Sequence, residues 1–335
     1  MDRSLMRIFT FFLLLGYGSE IHAAQGGITQ AKISQSNVGP SSVPLWVAQG
    51  QGMFKKRGLE VEAIFVRNST IQIAALTTGD MQFSSTGGAP TLSAAAGGVS
   101  LKIFANLHRR LPYDIAVRPD IKSPEDLRGK GVGVTNIGGT TWMAAVLALE
   151  HLGLDPGRDN INLQALGNQT VLVQSLDSGR IEAILVDHFF SRELKEKGFR
   201  ILFEGRAANI PFAGTGLVTT RAYFDQRADI VENVLKGLLE AQAFIADPRN
   251  KPIVLKTIRE RLKIAEPSVQ EWGYQFLLET MERKPYPALE GLRNIQRFMK
   301  HNAQVAKVRV EDLIDDRIMR KLDESGFIDG LYKAK

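Results

Sequence analysis

A seven-residue segment occurs twice in this chain, 99 residues apart. Residues 36–42 (SNVGPSS) and 135–141 (TNIGGTT) are identical or chemically similar at every position except Pro40, which is opposite Gly139. A second match, at an offset of 100, pairs residues 68–70 (NST) with residues 168–170 (NQT). Two matches at nearly one offset indicate an internal duplication. The alternative is that both segments are ordinary turns, because turns favour Gly, Asn, Ser and Thr.

Each copy of the duplicated unit has the same predicted order of elements: strand, loop, helix, strand, loop, helix, strand. Strands that alternate with helices across short loops predict right-handed crossovers and parallel sheets. Each copy is therefore predicted to form a small, parallel-type α/β lobe. The predicted strands are 31–35, 59–66 and 81–84 in the first copy and 131–135, 162–166 and 181–186 in the second. The first helix of each copy is predicted at 43–56 and 142–152.

The region after the second copy differs in pattern. Apolar residues at spacings of three and four, with Pro or Gly between the segments, predict a helical C-terminal region. The predicted helices are 229–246, 251–264, 267–282, 287–303 and 310–325. Residues 113–118 read as a strand entering the second lobe and 214–220 as one leaving it. We therefore predict a bilobed protein with a two-segment hinge, in which lobe 1 comprises residues 25–112 and 214–335 and lobe 2 comprises residues 113–213.

The N-terminal 24 residues have the pattern of an export signal. Arg3 and Arg7 precede an apolar stretch, and a segment with small residues ends at Ala23 and Ala24. The apolar stretch is too short to span a bilayer; the alternatives are an uncleaved anchor or a buried helix. We expect residues 1–24 to be a signal peptide cleaved after Ala23 or Ala24. The chain has no cysteine, so lipid attachment through an N-terminal cysteine is excluded and we expect a periplasmic protein that is not a lipoprotein.

Composition narrows the range of functions. The absence of cysteine also excludes disulfides, thiolate zinc sites, iron–sulfur clusters and a cysteine nucleophile. Lys and Arg number 42 against 36 Asp and Glu, a net charge of +6, but no run of five or more basic residues occurs. A nucleic-acid partner is therefore not expected. The five histidines show no metal-ligand spacing, and we predict neither a metal nor a cofactor.

The candidate ligand site follows from the predicted sheets. In open α/β sheets, ligands bind beyond the carboxyl ends of the strands, where helix N-termini present unpaired N–H groups. For any one hydroxyl, capping of its own helix is an equally good explanation. An aromatic ligand could stack on Trp142, although core packing is the commoner role of such a residue. The predicted site residues are Asn37, Ser41, Ser42, Arg67, Ser69, Thr70, Ser85, Thr86, Gly87, Asn136, Gly138, Gly139, Thr140, Thr141, Trp142, Gln169, Asp187 and His188.

An enzymatic role has little support in the sequence. Asp187 and His188 form the one acid–base pair in the predicted loops, but neighbours on an extended chain point to opposite sides. The chain contains no Gly-x-Ser-x-Gly elbow, Walker A loop, His-Glu-x-x-His pair or complete Gly-x-Gly-x-x-Gly motif. We predict that the protein is not an enzyme, and an exported hydrolase using His188 and Asp187 remains the alternative from another class.

Several segments resemble the NMT1/THI5-like group of periplasmic solute-binding proteins. They are residues 41–62 (SSVPLWVAQGQGMFKKRGLEVE), 74–83 (AALTTGDMQF), 121–134 (IKSPEDLRGKGVGV), 148–156 (ALEHLGLDP) and 325–329 (SGFID). The resemblance implies a type II periplasmic-binding fold that closes around a ligand between two lobes. It also implies an ABC importer as partner, in a group that serves nitrate, taurine, alkanesulfonates and pyrimidines. Fungal relatives are pyrimidine synthases that need a cysteine-rich iron motif, which this chain lacks.

The combined expectation is a periplasmic capture protein for a small polar organic solute. The solute would be a sulfonate-, taurine- or nitrate-like molecule or another small organic anion, held by backbone N–H groups and hydroxyls with help from Arg67. A neutral heteroaromatic ligand, such as a pyrimidine precursor, is the alternative. The expected partners are this small molecule and an ABC transporter permease, and the protein is expected to be a monomer.

Overall fold

The computed structural model describes residues 28–36, 38–66, 68–300 and 302–333. The predicted signal peptide and the predicted site residues Asn37 and Arg67 lie outside the described residues. The strands are β1 Thr29–Gln35, β2 Leu59–Phe65, β3 Phe83–Thr86, β4 Leu101–Asn106, β5 Tyr113–Val117, β6 Gly131–Val134, β7 Asn162–Ala165, β8 Ala183–Asp187, β9 Arg200–Glu204 and β10 Gly216–Thr220.

Except between β4, β5 and β6, which follow one another without an intervening α-helix, helices alternate with strands up to β10 and then follow one another to the C-terminus. They are α1 Val43–Gly50, α2 Ser69–Thr78, α3 Gly88–Ala96, α4 Thr140–His151, α5 Gln169–Asp177, α6 His188–Glu196, α7 Gly205–Ala208, α8 Arg221–Gln226, α9 Ala228–Ala246, α10 Lys251–Leu262, α11 Pro267–Thr280, α12 Leu289–Met299, α13 Ala303–Lys307, α14 Arg317–Glu324 and α15 Phe327–Leu331. The predicted helical C-terminal region is confirmed.

The strands form two five-stranded sheets, one in each lobe. Their orders are β2-β1-β3-β10-β4 and β7-β6-β8-β5-β9. In each sheet four strands run in one direction, while β10 or β5 runs against both of its neighbours. The bilobed α/β fold is thus confirmed, but the sheets are mixed rather than wholly parallel. The reversed strand of each sheet is the first strand after the chain arrives from the other lobe. It is not preceded by a crossover helix within its own sheet, and such a helix is what makes consecutive strands parallel.

The two sheets have equivalent strands in equivalent places, as the duplication predicts. The order β2-β1-β3 in the first sheet corresponds to β7-β6-β8 in the second. The local chemistry agrees: the side-chain oxygen of Asn68 accepts from the N–H of Ile71 at 3.0 Å, and that of Asn168 accepts from the N–H of Val171 at 3.1 Å. The matched asparagines therefore cap equivalent helices, α2 and α5.

The two connections between the lobes pair with each other. The N–H of Leu111 donates to the carbonyl of Ile210 at 3.0 Å, that of Phe212 to Arg109 at 3.1 Å, and that of Gly214 to His108 at 3.1 Å. Helix α12 packs directly on this ribbon, since a Cβ atom at Gly291 would overlap the backbone of Phe212 and Ala213. The predicted two-segment hinge is therefore a hydrogen-bonded antiparallel ribbon supported by a C-terminal helix.

The C-terminal helices contact both lobes. Helices α9, α10 and α14 share a hydrophobic core with α1 and the first sheet. On lobe 2, the guanidinium of Arg192 in α6 lies 4.8 Å from the ring centroid of Trp272 in α11, and Arg297 in α12 donates to both carboxylate oxygens of Glu150 in α4 at 2.7 and 2.8 Å. Among the helices that the structure covers, none is both long and apolar enough to cross a membrane.

The hinge contains a buried histidine whose protonation should affect stability. His108 is 9% exposed, and its Nδ1 has no hydrogen-bond partner within the described residues. Burial disfavours the charged imidazole and lowers the pKa of His108 to about 4, from 6.5 in a solvated histidine. The unfolded chain therefore binds this proton more readily, and the stability contributed by neutral His108 is present above pH 6.5 and lost as the pH falls towards 4.

We predict that replacing His108 with leucine removes this pH dependence. Between pH 7 and pH 4, the unfolding free energy of His108→Leu should gain about 3 kcal/mol relative to the unchanged protein, since one pKa unit corresponds to about 1.4 kcal/mol. Urea titrations of both proteins across this range would measure the difference. Burial raises the pKa of Asp187 to about 6, which has the opposite effect on stability, so only the difference between the two proteins is diagnostic. A difference that stays constant with pH would contradict the prediction.

Candidate functional site

A cleft of about 410 Å³ lies between the two sheets. The carboxyl ends of β1, β2 and β3 border it from lobe 1, and the loops after β6 and β7 border it from lobe 2. The antiparallel strand β5 contributes its first residue, because its start lies at the same edge of the sheet. The lining residues are Gln35, Ser36, Ser41, Ser42, Phe65, Asn68, Ser69, Ser85, Thr86, Gly87, Tyr113, Thr135, Asn136, Thr140, Thr141, Gly167, Asn168, Gln169, Val171 and Thr215.

The structure brings ten of the predicted site residues together around this cleft. They are Ser41, Ser42, Ser69, Ser85, Thr86, Gly87, Asn136, Thr140, Thr141 and Gln169. Six others that the structure describes lie outside the lining: Thr70, Gly138, Gly139, Trp142, Asp187 and His188. Gly138 forms the turn before α4 with a φ of +73°, a conformation that favours glycine. Trp142 is partly buried and packs against the large hydrophobic core.

Other lining residues were not selected from the sequence. Gln35 and Phe65 are the last residues of β1 and β2. Ligands bind beyond the carboxyl ends of such strands, so the same argument that predicts the neighbouring loop residues also predicts these two. Tyr113 and Thr215 were missed because they belong to the reversed segments of the mixed sheets. Sequence periodicity gives no sign of the reversal, which depends on how the chain crosses between the lobes. The remaining missed residues are Ser36, Asn68, Thr135, Gly167, Asn168 and Val171.

Helix N-termini from both lobes meet at the cleft. Ser41 and Ser42 lie in the 3₁₀ turn that leads into α1, while Ser69, Thr140 and Gln169 begin α2, α4 and α5. The first N–H groups of a helix have no partner within the helix and carry its positive dipole end. A side-chain amide caps α2 and α5, whereas α4 begins without a side-chain cap. The cleft is consequently surrounded by N–H donors and hydroxyl groups.

The wall of the cleft combines hydroxyl and amide groups with the apolar side chains of Phe65, Tyr113 and Val171, and carries no charged side chain among the residues that the structure describes. Its inner part is well shielded from solvent, with Thr86 and Ser69 each 4% exposed. The hydroxyl of Thr86 is fully buried and has no hydrogen-bond partner among the described residues, and the same is true of Ser84 Oγ and Gln72 Oε1, which do not line the cleft. A buried polar atom without a partner costs free energy, and a ligand that reaches Thr86 Oγ1 as the lobes move would recover it.

Two hydrogen-bond pairs hold the lobe 2 wall in place. Thr141 Oγ1 lies 2.7 Å from Thr135 Oγ1 and accepts from the Thr135 N–H at 3.1 Å. Gln169 donates from Nε2 to Asp187 Oδ2 at 3.0 Å and accepts from the Asp187 N–H at 2.7 Å. The Asp187 carboxylate also caps α6 through the N–H groups of Phe189 and Phe190. Asp187 thus lies behind the wall and fixes the orientation of Gln169.

His188 does not line the cleft, and it pairs with Asp114 rather than with its neighbour in sequence, Asp187. Its Nδ1 lies 2.9 Å from Oδ2 of Asp114, and this contact raises the pKa of His188. The Ser191 hydroxyl donates to the same Asp114 oxygen. Because the serine bonds to the carboxylate and not to the imidazole, the three residues lack the hydrogen bond by which a histidine activates a serine nucleophile. Asp187 and His188 do not act as a pair here.

The two lobes touch directly across the cleft at Gly87. A Cβ atom on this glycine would overlap Oγ1 of Thr140 and lie 2.8 Å from its Cγ2 and 3.0 Å from its Cβ. Gly87 belongs to lobe 1 and Thr140 begins a lobe 2 helix. The φ of Gly87 is −94°, a value that any residue can adopt. Glycine is therefore required here because there is no room for a side chain beside Thr140, and not because of the backbone conformation.

The chain is similar to known proteins over most of its length. It is 20% identical to YtlA of Bacillus subtilis over 305 residues, which are 88% of this chain and 90% of that protein. A solved protein of Bordetella bronchiseptica RB50 matches with a TM-score of 0.76 at 21% identity, over 89% of this chain and 98% of that one. The alkanesulfonate-binding protein SsuA of Xanthomonas axonopodis pv. citri, solved bound to MOPS, matches with a TM-score of 0.69 at 18% identity. This match covers 86% of this chain and 99% of that one.

These structural matches show that this chain shares its fold with SsuA, and at 18–21% identity they do not indicate which ligand this chain binds. The NMT1/THI5-like family profile matches residues 39–251. The matched region includes the second copy of the duplicated unit, the first copy from residue 39 onward, the hinge and most of the cleft residues. It covers more than half of the chain, and the resemblance of the sequence motifs is thereby confirmed: the chain belongs to the NMT1/THI5-like family.

Proposed function

We propose that this protein is the periplasmic substrate-binding component of an ABC importer and captures a small organic anion, most simply a sulfonate. The observation that carries the proposal is that helix N-termini from both lobes meet at a cleft whose described lining has no charged side chain. Such N-termini bind sulfonate, phosphate or carboxylate groups through N–H donors and the helix dipole, without a cationic side chain. Arg67, which the sequence also predicts at the site, would add to this attraction.

The size and composition of the cleft support an organic ligand over a simple inorganic ion. A volume of about 410 Å³ is within the range of small-molecule pockets and much larger than nitrate requires. The described lining contains no carboxylate, so an ammonium group on the ligand would be buried without a partner of opposite charge. This favours a plain alkanesulfonate over taurine, which carries an ammonium group.

Transport and periplasmic location are supported by family membership and by the export-signal pattern of residues 1–24. The fold matches SsuA, whose name assigns it an alkanesulfonate-binding role. Binding without chemical conversion is supported by the arrangement around His188, where Asp114 accepts from the serine that a hydrolase would need as its nucleophile. A neutral heteroaromatic ligand is the second candidate, because Tyr113 and Phe65 line the cleft and could pack on a flat ring.

The proposal predicts a ranking of ligands that differ by one group. Ethanesulfonate and taurine have the same carbon–sulfur skeleton, and we expect ethanesulfonate to bind at least about tenfold more tightly because its alkyl end needs no counter-charge. Titration calorimetry with the purified protein would measure both affinities, with nitrate and uracil in the same series. Ligand binding should also raise the melting temperature, and above the Kd the rise should continue with the logarithm of the free ligand concentration.

The same series separates the alternatives. Uracil binding without sulfonate binding would replace the proposed ligand with the neutral heteroaromatic one. Chromatography of the incubated mixtures would detect any product, and turnover would contradict the binding role itself. Tighter binding of taurine than of ethanesulfonate would show that a carboxylate outside the described residues, or an open cleft mouth, compensates the ammonium group.

A further inference from the structure

The cleft lining contains both buried polar residues and exposed residues, and Phe65 has the largest apolar side chain among the exposed ones, which are Phe65, Gly167 and Asn168. The innermost lining includes Thr86 and Ser69, each 4% exposed, and Thr141 at 5%. At the other extreme, Phe65 lines the same cleft and is 53% exposed. A ligand that places its charged group against the buried helix N-termini therefore extends towards the exposed part of the lining, where Phe65 supplies the largest apolar side chain.

Two apolar residues of the cleft lining, Phe65 and Val171, come from different lobes. Phe65 is the last residue of β2, the edge strand of the first sheet. Val171 lies in the first turn of α5 in lobe 2 and is half-buried, and its backbone N–H is occupied by the Asn168 cap. Its contribution to the cleft wall is therefore its apolar side chain. An exposed phenylalanine is not unusual alone, but here it lines the candidate ligand cleft together with a second apolar side chain from the other lobe.

We propose that Phe65 and Val171 are specificity-determining residues, which recognise the substituent of the ligand while the buried N–H donors and hydroxyls recognise its anionic group. The inference rests on the proposed function and assigns the two tasks to different depths of the cleft. Closure of the lobes brings the two side chains onto the substituent from opposite sides, and each methylene group removed from water strengthens binding. The site would thus select among anions by the size of their apolar part.

A series of ligands with increasing chain length tests this assignment. In the unchanged protein, affinity should rise about two- to fourfold per methylene from ethanesulfonate to butanesulfonate, because a fully buried methylene contributes about fourfold. In Phe65→Ala this rise should fall to less than about 1.5-fold per methylene, with the affinity for methanesulfonate changed by less than about threefold. Val171→Ala should reduce the rise to a smaller extent, since less apolar surface is removed.

Ile71→Ala is the matched control, because Ile71 is also exposed, at 48%, and lies nearby on α2 but outside the cleft lining. It should leave the dependence on chain length intact, and a thermal melt of each variant would confirm that the fold is retained. An unchanged slope in Phe65→Ala, or no slope in the unchanged protein, would overturn the assignment while leaving the proposed function standing. Failure of methanesulfonate and all longer sulfonates to bind would overturn both.

Discussion

Replacing Gly87 with alanine is expected to weaken butanesulfonate binding about 5- to 150-fold. The added Cβ would overlap Oγ1 of Thr140 and come within 3.0 Å of two further atoms of that side chain, so rotation of the threonine alone does not remove the conflict. Overpacking of this kind costs about 1–3 kcal/mol. The protein can avoid the cost by opening the cleft, and the lost affinity is then the free energy of incomplete closure.

The Gly87→Ala prediction has a matched control and a rescue. Gly50 also has a negative φ, and a Cβ placed there meets no atom within 4 Å, so Gly50→Ala should bind as the unchanged protein does. Adding Thr140→Ala removes the two closest atoms and should restore part of the affinity, giving a double-mutant coupling that two independent losses would not give. Solution scattering should show a larger radius of gyration for ligand-saturated Gly87→Ala. Equal affinity and equal compactness in both glycine variants would mean that the cleft works without this contact.

Replacing Thr86 with valine is expected to weaken sulfonate binding about 10- to 100-fold while leaving the fold equally stable or more stable. A hydrogen bond to a charged group contributes about 1.5–3 kcal/mol, and the Thr86 hydroxyl is buried on the cleft wall without a partner in the described part of the chain. Valine has nearly the same shape and removes an unsatisfied polar atom, which can stabilise the unliganded protein by up to about 1 kcal/mol. Titration calorimetry and urea unfolding of the same preparation would measure the two opposite effects.

Thr219→Val provides the comparison for Thr86→Val. Thr219 is a buried threonine of the same sheet, but its hydroxyl donates to the carbonyl of Gln82 at 2.7 Å and it does not line the cleft. Its replacement should lower the free energy of unfolding by about 1 kcal/mol and leave the affinity unchanged. If Thr86→Val behaved in the same way, Thr86 would be a structural residue and the anionic group would bind elsewhere on the wall.

The sequence was sufficient to predict the alternating strands and helices of the duplicated units and half of the residues that line the cleft, but not the reversed strand of each sheet. The duplication located the strand ends, and parallel strands place their carboxyl ends at one edge of a sheet. For this reason Ser41, Ser69, Thr86 and Gln169 could be selected from one chain alone. Predicting these four residues needs only the nearby sequence, because each of them follows a strand or begins a helix that the adjacent residues predict.

Features that depend on contacts between distant segments could not be predicted. Asp114 lies in a strand with no unusual pattern, and only the pairing of β5 with β8 brings it to His188. The contact between Gly87 and Thr140 depends on how the hinge orients two separately folded sheets. Similarly, the periodicity of α11 predicts a helix but does not indicate that Trp272 meets Arg192 of the other lobe. Helical periodicity records which face is apolar and not which element covers that face.

The strand order of the first sheet has a consequence for the sequence of events in folding. Strand β10, at residues 216–220, lies between β3 and β4, so this sheet remains in two pieces until the chain has returned from the other lobe. All five strands of the second sheet, in contrast, come from residues 113–204. A chain that emerges N-terminus first would therefore complete its second lobe before its first. Until β10 inserts, the inner edges of β3 and β4 present unpaired N–H and carbonyl groups, which makes the earliest-emerging strands the ones most prone to non-native pairing.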